Sequence, residues 1–337
     1  MSRTFAVALQ RSPRLGPTWT TVHLAHAALE AGHRVWFLAP EEAEITRRGR
    51  LVCRVGEIAG PPPDREQLAA RLVNGELTRR YVELDRCDLL LLRLNPLTDA
   101  ALAVALMARE HGVPVVNDPT GLAMTRSKAW LATLVDVPRP VTTVTRSDAT
   151  ARLFAAELDR PLVIKPAMGS GGRGVTLVPR RDPAALGAAL SAARSVGDGT
   201  VVLQEYLTAA EEGEKRLVWM DGQILGAYLR ERAEGEFRHN LRQGGQPRPA
   251  QVTEQDRRIA ALLRPNLERN GIRIAGLDVI GGCVVEVNTL NPGGVHHASH
   301  LQVVDPMVAE VSGTIADRMV RLLAATPRES DVATHHG

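Results

Sequence analysis

Short apolar runs and amphipathic stretches alternate through the first third of the chain. Residues 5–9, 35–39, 88–94 and 113–117 read as strands, and residues 22–30 and 99–110 carry helical apolar spacing between them. Such alternation predicts a parallel sheet, because each helix carries the chain back across the sheet before the next strand starts. Pro61-Pro62-Pro63 marks an exposed loop ahead of a helical stretch over 65–83, and Asn117, Asp118, Pro119 and Gly121 mark a boundary.

Beyond that boundary the pattern changes. A helix over 127–135, a strand over 141–144, a helix over 148–158 and a strand over 162–165 lead into a glycine-rich loop. A strand over 175–178, a helix over 183–193 and a strand over 201–207 complete an α+β unit. Residues 216–220 and 223–229 flank Asp221-Gly222, a hairpin signal because both residues tolerate positive φ. The polar stretch 236–249 resembles loops that cover active sites. Thr253 with Asp256 opens a helix ending before Gly271, followed by strands over 274–280 and 284–288, a loop over 291–294 and a last helix over 306–323. The predicted division is an α/β, Rossmann-like domain over 1–121, α+β units over 122–207 and 208–326, and a frayed tail over 327–337.

Composition narrows the class. Apolar residues are 44% and charged residues 23% of 337, the balance of a globular protein rather than a disordered one. No apolar run could span a bilayer and residues 5–9 are too short for a secretory signal, so the expected setting is the cytoplasm, without a membrane partner. Cys53, Cys87 and Cys283 are odd in number and far apart, which excludes a disulfide framework or zinc knuckle. The net charge is +3, but the arginines are dispersed and aromatics are 3%, so no nucleic-acid partner is expected. Of 41 basic residues, only Lys128, Lys165 and Lys215 are lysine. Against that bias, a compact rotatable ammonium in place of the guanidinium fork points to a phosphate contact.

Gly169-Ser170-Gly171-Gly172-Arg173-Gly174 satisfies G-x-G-x-x-G, which alone would suggest a nicotinamide-dependent oxidoreductase. That fingerprint needs glycines opening a helix, whereas Val175-Thr176-Leu177-Val178 is strand-like. The loop therefore joins two antiparallel strands and can offer backbone N–H groups to phosphates. Lys165 ends the strand entering it. Asp278, Glu286 and Asn288 interrupt otherwise apolar strands; Glu286 and Asn288 share a face, and Asp278 falls opposite Glu286 if the turn holds three residues centred on Gly282. Such a strand pair suits magnesium bridging protein to nucleotide phosphates. His296, His297 and His300 have no other soft ligand nearby in sequence and read as helix-surface or pocket residues rather than a zinc site. Arg93 follows four leucines, at the end of a parallel strand where a carboxylate-bearing substrate would meet it.

Lys128, Lys165 with its glycine loop, Gln204-Glu205-Tyr206-Leu207, Glu214-Lys215-Arg216, Asn240-Leu241 with Gly244-Gly245, and Asp278 through Glu286-Val287-Asn288 resemble, in order and spacing, the prokaryotic glutathione synthetases of the ATP-grasp superfamily. The resemblance starts in Leu92-Arg93-Leu94-Asn95-Pro96 and implies a two-part ATP-grasp fold behind the Rossmann-like domain. It implies an ATP-dependent carboxylate–amine ligase that acts through an acyl phosphate on amino acids or short peptides. Lys128, Lys165, Gly169, Gly171, Gly172 and Asn240 would contact the nucleotide, Gln204, Glu205, Tyr206 and Leu207 would form the adenine hinge, and Glu214 would hold the ribose where relatives usually carry aspartate. Arg216 and a second arginine would neutralise the transferring phosphoryl group. A regular hairpin puts Arg230 on the wrong face, so either a bulge occurs or Arg232 serves. Asp278, Glu286 and Asn288 would hold two magnesium ions, or manganese. Arg93, Asn291, Gly293 and Gly294 would bind the carboxylate and amine substrates, and a dimer or tetramer is the implied assembly. The run from Thr289 to His297 departs from the Val-Thr-Ser-Pro-Thr-like run common in the family, so a ligase making a different amide stays the alternative.

Overall fold

The computed structural model describes residues 2–301 and 313–328. β1 (Thr4–Ala8) and α1 (Thr20–Glu30) lead to β2 (Arg34–Ile45), then β3 (Leu51–Glu57), α2 (Arg65–Asn74), β4 (Thr78–Glu83), β5 (Leu89–Leu92), α3 (Asp99–Glu110) and β6 (Val115–Val116). They form a six-stranded sheet in the order β4-β3-β2-β1-β5-β6. β2, β1, β5 and β6 are parallel, as their alternation with helices predicts, and β3 and β4 add an antiparallel edge. The helix expected over 65–83 stops at Asn74 because Gly75 takes φ 72° and closes it, and the remainder becomes β4. β3 lies outside the predicted elements, although buried Leu51, Cys53 and Val55 alternate around exposed Arg54.

α4 (Pro119–Thr125), α5 (Ala129–Ala132), β7 (Thr142–Thr145), α6 (Asp148–Leu158), β8 (Leu162–Pro166), β9 (Thr176–Val178), α7 (Pro183–Val196) and β10 (Val201–Glu205) follow. Their antiparallel sheet runs β7-β10-β8-β9. The helix expected over 127–135 is confined to α5, and α4 occupies the predicted boundary. Asp118 starts α4 by accepting from the Gly121 amide at 2.9 Å, with Pro119 at the first helical position, so the predicted turn residues are a helix start.

The third sheet, in the order β13-β12-β11-β14-β15, is built from β11 (Glu214–Met220), β12 (Gln223–Glu231), β13 (Gln246–Pro249), β14 (Ile274–Ile280) and β15 (Cys283–Asn288). α8 (Glu254–Arg269) precedes β14, and α9 (Val295–His300) and α10 (Ile315–Ala324) come last. The loop expected over 236–249 is shorter, since β13 pairs with β12. α9 begins directly after the expected glycine loop and carries all three histidines. α10 opens with a capping box of Thr314 and Asp317 inside the helix predicted over 306–323; residues 306–312, like 329–337 of the predicted tail, lie outside the described residues. Thr253 and Asp256 form the predicted capping box of α8, and Lys215 donates to that Asp256 carboxylate at 2.7 Å.

Strand periodicity joins the first and third sheets into shared cores. Ala6 and Ala8 of β1 pack in one cluster with Leu217 and Trp219 of β11, while Phe5 and Val7 pack on the other face with Val218 and Met220. The β7–β10 sheet instead has its own core, with Leu162, Ile164, Leu190 and Leu203 fully buried. A unit with a separate core meets the rest across a cleft. One side chain ties the first and third sheets: buried Asn117, just past β6, donates to the Ile274 and Thr289 carbonyls at 2.7 and 2.8 Å and accepts from the Arg273 and Ile274 amides, both at 2.8 Å.

Candidate active site

Two β-bulges decide which side chains face the cleft. In the β11–β12 hairpin Val218 opposes Gly226 but Trp219 opposes Ile224, leaving Leu225 over. The extra residue brings Arg230 opposite Glu214, on the same face as Arg216. Of the alternatives open from sequence, the bulge is the one present, and Arg232 instead pairs with Glu211 at the surface. In the β14–β15 hairpin Asp278 opposes Glu286 as expected, but through a two-residue turn of Gly281-Gly282 and a bulge at Val285, not a three-residue loop. The bulge turns the Val285 carbonyl out of the ladder, and Lys165 donates to it at 3.1 Å.

Charges are dense along this wall. Arg216 clasps Asp278 with Nε to Oδ1 at 2.5 Å and a second nitrogen to Oδ2 at 3.0 Å. Arg230 reaches Asp278 Oδ1 at 2.5 Å and also pairs with Glu214, and the Asn288 amide donates to Asp278 Oδ2 at 2.9 Å. Burial alone would raise the Asp278 carboxyl, but Arg216 and Arg230 overcome it and hold it well below the usual carboxylate range. At Glu214 burial prevails over the pull of Arg230, with Asp278 adding to the rise, and the carboxyl is pushed up.

On the opposite side of the cleft, Lys165 is buried and donates to Gln204 Oε1 at 2.9 Å. Burial lowers its pKa, and the Glu286 carboxylate opposes that fall. Lys128 donates to the Gly169 carbonyl at 2.6 Å and stands 3.7 Å from Glu286. The glycine loop takes positive φ at Gly169, Gly171, Gly172 and Gly174, which side-chain-bearing residues rarely adopt. Arg238 donates to the Gly172 carbonyl at 3.0 Å, so the segment containing Asn240 folds against the loop. Glu205, Tyr206 and Leu207 line the same cleft, and the Glu205 and Tyr206 side chains also bond to Arg160 and Glu211. Arg238 and His239 also line it and lie outside the residues chosen from sequence; the polar stretch 236–249 was the only signal for them.

The donor set fits a hard divalent cation. Asp278, Glu286 and Asn288 carry oxygen, line one cleft with Lys128 and Lys165, and include no thiol or imidazole.

A neighbouring cavity of about 640 Å³ shares Arg216, Arg230 and Asn288 with the cleft and extends to Arg93, Asn291, Gly293 and Gly294. Arg93 is buried, which lowers its pKa, and donates to Thr21 Oγ1 at 3.2 Å and the Pro292 carbonyl at 3.0 Å. Asn291 takes φ 48°, and a Cβ added at Gly293 would meet nothing within 4 Å, so the cavity is open over that backbone. His297 lines it beside Tyr228, with ring centroids 5.3 Å apart. His296 instead packs behind the cavity, stacked on His300 and with Nδ1 3.3 Å from His23 Nε2.

Comparison with known proteins finds relatives over most of the chain. The profile of the prokaryotic glutathione synthetase ATP-grasp domain covers residues 128–302, and that of the family's N-terminal domain covers 17–123. Glutathione synthetase of Thermosynechococcus vestitus is 31% identical over 296 residues, spanning 84% of this chain and 90% of that protein. The Synechococcus elongatus enzyme is 32% identical over 303 residues, spanning 85% and 90%. In fold, the D-Ala:D-Ser ligase of Enterococcus faecalis superposes with a TM-score of 0.66 at 18% identity, covering 96% of this chain and 99% of that one. The chain belongs to the prokaryotic glutathione synthetase family, with the ATP-grasp fold, and is an ATP-dependent carboxylate–amine ligase of that type that uses a divalent metal.

Proposed function

We propose that this ligase joins the cysteinyl carboxylate of γ-glutamylcysteine to glycine. The observation that carries the site is the convergence of Arg216, Arg230, Asp278, Glu286, Asn288, Lys128 and Lys165 on one glycine-loop cleft. The substrate pair comes from the glutathione synthetase relatives.

Lys128, Lys165 and the loop glycines Gly169, Gly171 and Gly172 hold the phosphates, and Gln204 to Leu207 the adenine. Glu214 takes the ribose, and Asn240 helps close the loop over the nucleotide. Asp278, Glu286 and Asn288 would hold magnesium, two ions in this reading, which when bound neutralises phosphate oxygens. Arg216 and Arg230 face the transferring phosphoryl group and offset its charge. The donor carboxylate attacks the γ-phosphorus, ADP leaves, and the amine then displaces phosphate from the acyl phosphate. Arg93, Asn291, Gly293 and Gly294 hold the acyl donor, Arg93 through a second carboxylate. The domain division is 1–121, 122–207 and 208–326, the assembly a homo-oligomer and the setting the cytoplasm.

A second reading, an amide ligase with a different acyl donor and amine acceptor, draws support from His297 and Tyr228, which add polar and aromatic bulk at the wall of the cavity that Arg93 lines. ADP release over a matrix of dipeptide donors and amine acceptors tests both. The expected maximum is γ-glutamylcysteine with glycine; activity confined to other pairs would exclude glutathione synthesis and favour the second reading.

A further inference from the structure

Two cavities besides the nucleotide cleft reach the same point, since both are bounded by Asn95, Ser170, Gly171 and Asn288. The one holding Arg93 also holds Arg216 and Arg230. The other, about 550 Å³, lies between the end of α4 and the outer side of the glycine loop and is lined by Arg126, Lys128 and Arg173.

Arg126 resembles Arg93 in its surroundings. It is half-buried, donates to the Leu97 carbonyl at 3.2 Å, and forms no ion pair among the described residues. The other basic groups deep in the site are engaged: Arg216 and Arg230 by Asp278, Lys128 by Glu286, and Lys165 by the Gln204 side chain and the Val285 carbonyl. Each substrate cavity therefore offers one guanidinium braced by a backbone carbonyl and not neutralised by a carboxylate. Such a group is ready for a planar anion, which it can grip with two parallel hydrogen bonds.

An amide ligase needs three compartments around one reacting point, for nucleotide, acyl donor and amine. The molecule that is phosphorylated must reach Arg216 and Arg230, and of the two cavities only that of Arg93 includes them. We propose that the cavity beside Arg126 holds the amine acceptor and that Arg126 pairs with a carboxylate the acceptor carries; this rests on the ligase reading above. The bound acceptor is then an amino acid rather than a simple amine. Its ammonium loses a proton, the nitrogen attacks the acyl carbon, and the C–N bond forms as the C–O bond to phosphate breaks. Phosphate leaves with that electron pair; of the two protons the nitrogen sheds in all, one ends on phosphate and one in solvent.

The test compares wild type with Arg126→Gln, using γ-glutamylcysteine as donor and glycine, L-alanine and L-serine as acceptors, each beside its own amide. The variant should raise KM for the amino acids about tenfold or more, and leave KM for the amides, ATP and γ-glutamylcysteine nearly unchanged. Arg126→Lys should recover part of the loss, and thermal unfolding of both variants checks that the contact to Leu97 is not what was read. Unchanged amino-acid KM would overturn the assignment, and so would a rise confined to the donor, which would give the cavity to the acyl group. A wild type that releases ADP with none of these amines defeats the underlying acceptor reading instead, and this assignment with it.

Discussion

Asp278 and Glu286 sit opposite each other on neighbouring strands, yet their surroundings set different consequences for the same loss of charge. Glu286 is partly exposed and its ion-pair partner among the described residues is Lys128, at 3.7 Å. Asp278 is buried and held by Arg216, Arg230 and Asn288. Glu286→Gln should therefore lower turnover by roughly two orders of magnitude, on the scale of removing one transition-state contact, with little change in thermal midpoint. Asp278→Asn should lower turnover and also destabilise the fold by roughly 3–5 kcal/mol, because two buried guanidinium groups lose their shared partner. Paired measurements of kcat and unfolding decide it; near-wild-type turnover in Glu286→Gln would remove that residue from the site. At this scale the sequence was informative: the scarcity of lysine singled out Lys128 and Lys165, both of which line the cleft, but could not separate them from Lys215, whose partner is a helix cap. Arg126 was hidden for the opposite reason, being one of many arginines.

Elements with strong periodicity were legible before the structure, and bulges were not. The parallel strands, the β8–β9 glycine loop and the α8 capping box follow from patterns within a few residues. The bulges at Leu225 and Val285 depend on how each hairpin packs, although the facing of Arg230 made one of them a stated alternative. β4 escaped because its one buried side chain, Val82, gives no period. Asn117 shows the same limit, since a polar residue in a turn gives no hint of bonds to Ile274 and Thr289. Its carboxamide closes the open end of the β14–β15 pair, beside Asn288. Asn117→Ala should cost roughly 2–4 kcal/mol, because two buried carbonyls and two backbone amides lose their partner at once. Chemical denaturation measures it, and a change below about 0.5 kcal/mol would show that the clamp is dispensable.

Over the whole molecule, the placement of cores explains where the chemistry lies. The first and third sheets share packing, which fixes Arg93 and Pro292 against the strands of Asp278 and Glu286. The β7–β10 sheet has its own core and brings Lys165 and the glycine loop across the cleft from those carboxylates. A nucleotide between the two would be gripped by lysines from one side and met by arginines and carboxylates from the other, with both neighbouring cavities, proposed above for the substrates, opening at Gly171 and Asn288. In the proposed reaction a substrate carboxylate, within this cleft, takes the γ-phosphoryl group before the amine arrives. The most direct test uses γ-glutamylcysteine labelled with ¹⁸O in its cysteinyl carboxylate, with ATP and glycine, and follows the label by ³¹P NMR. Reaction through an acyl phosphate predicts one ¹⁸O in the inorganic phosphate released per amide formed, with ADP as the nucleotide product. Unlabelled phosphate, or label appearing in AMP, would contradict it.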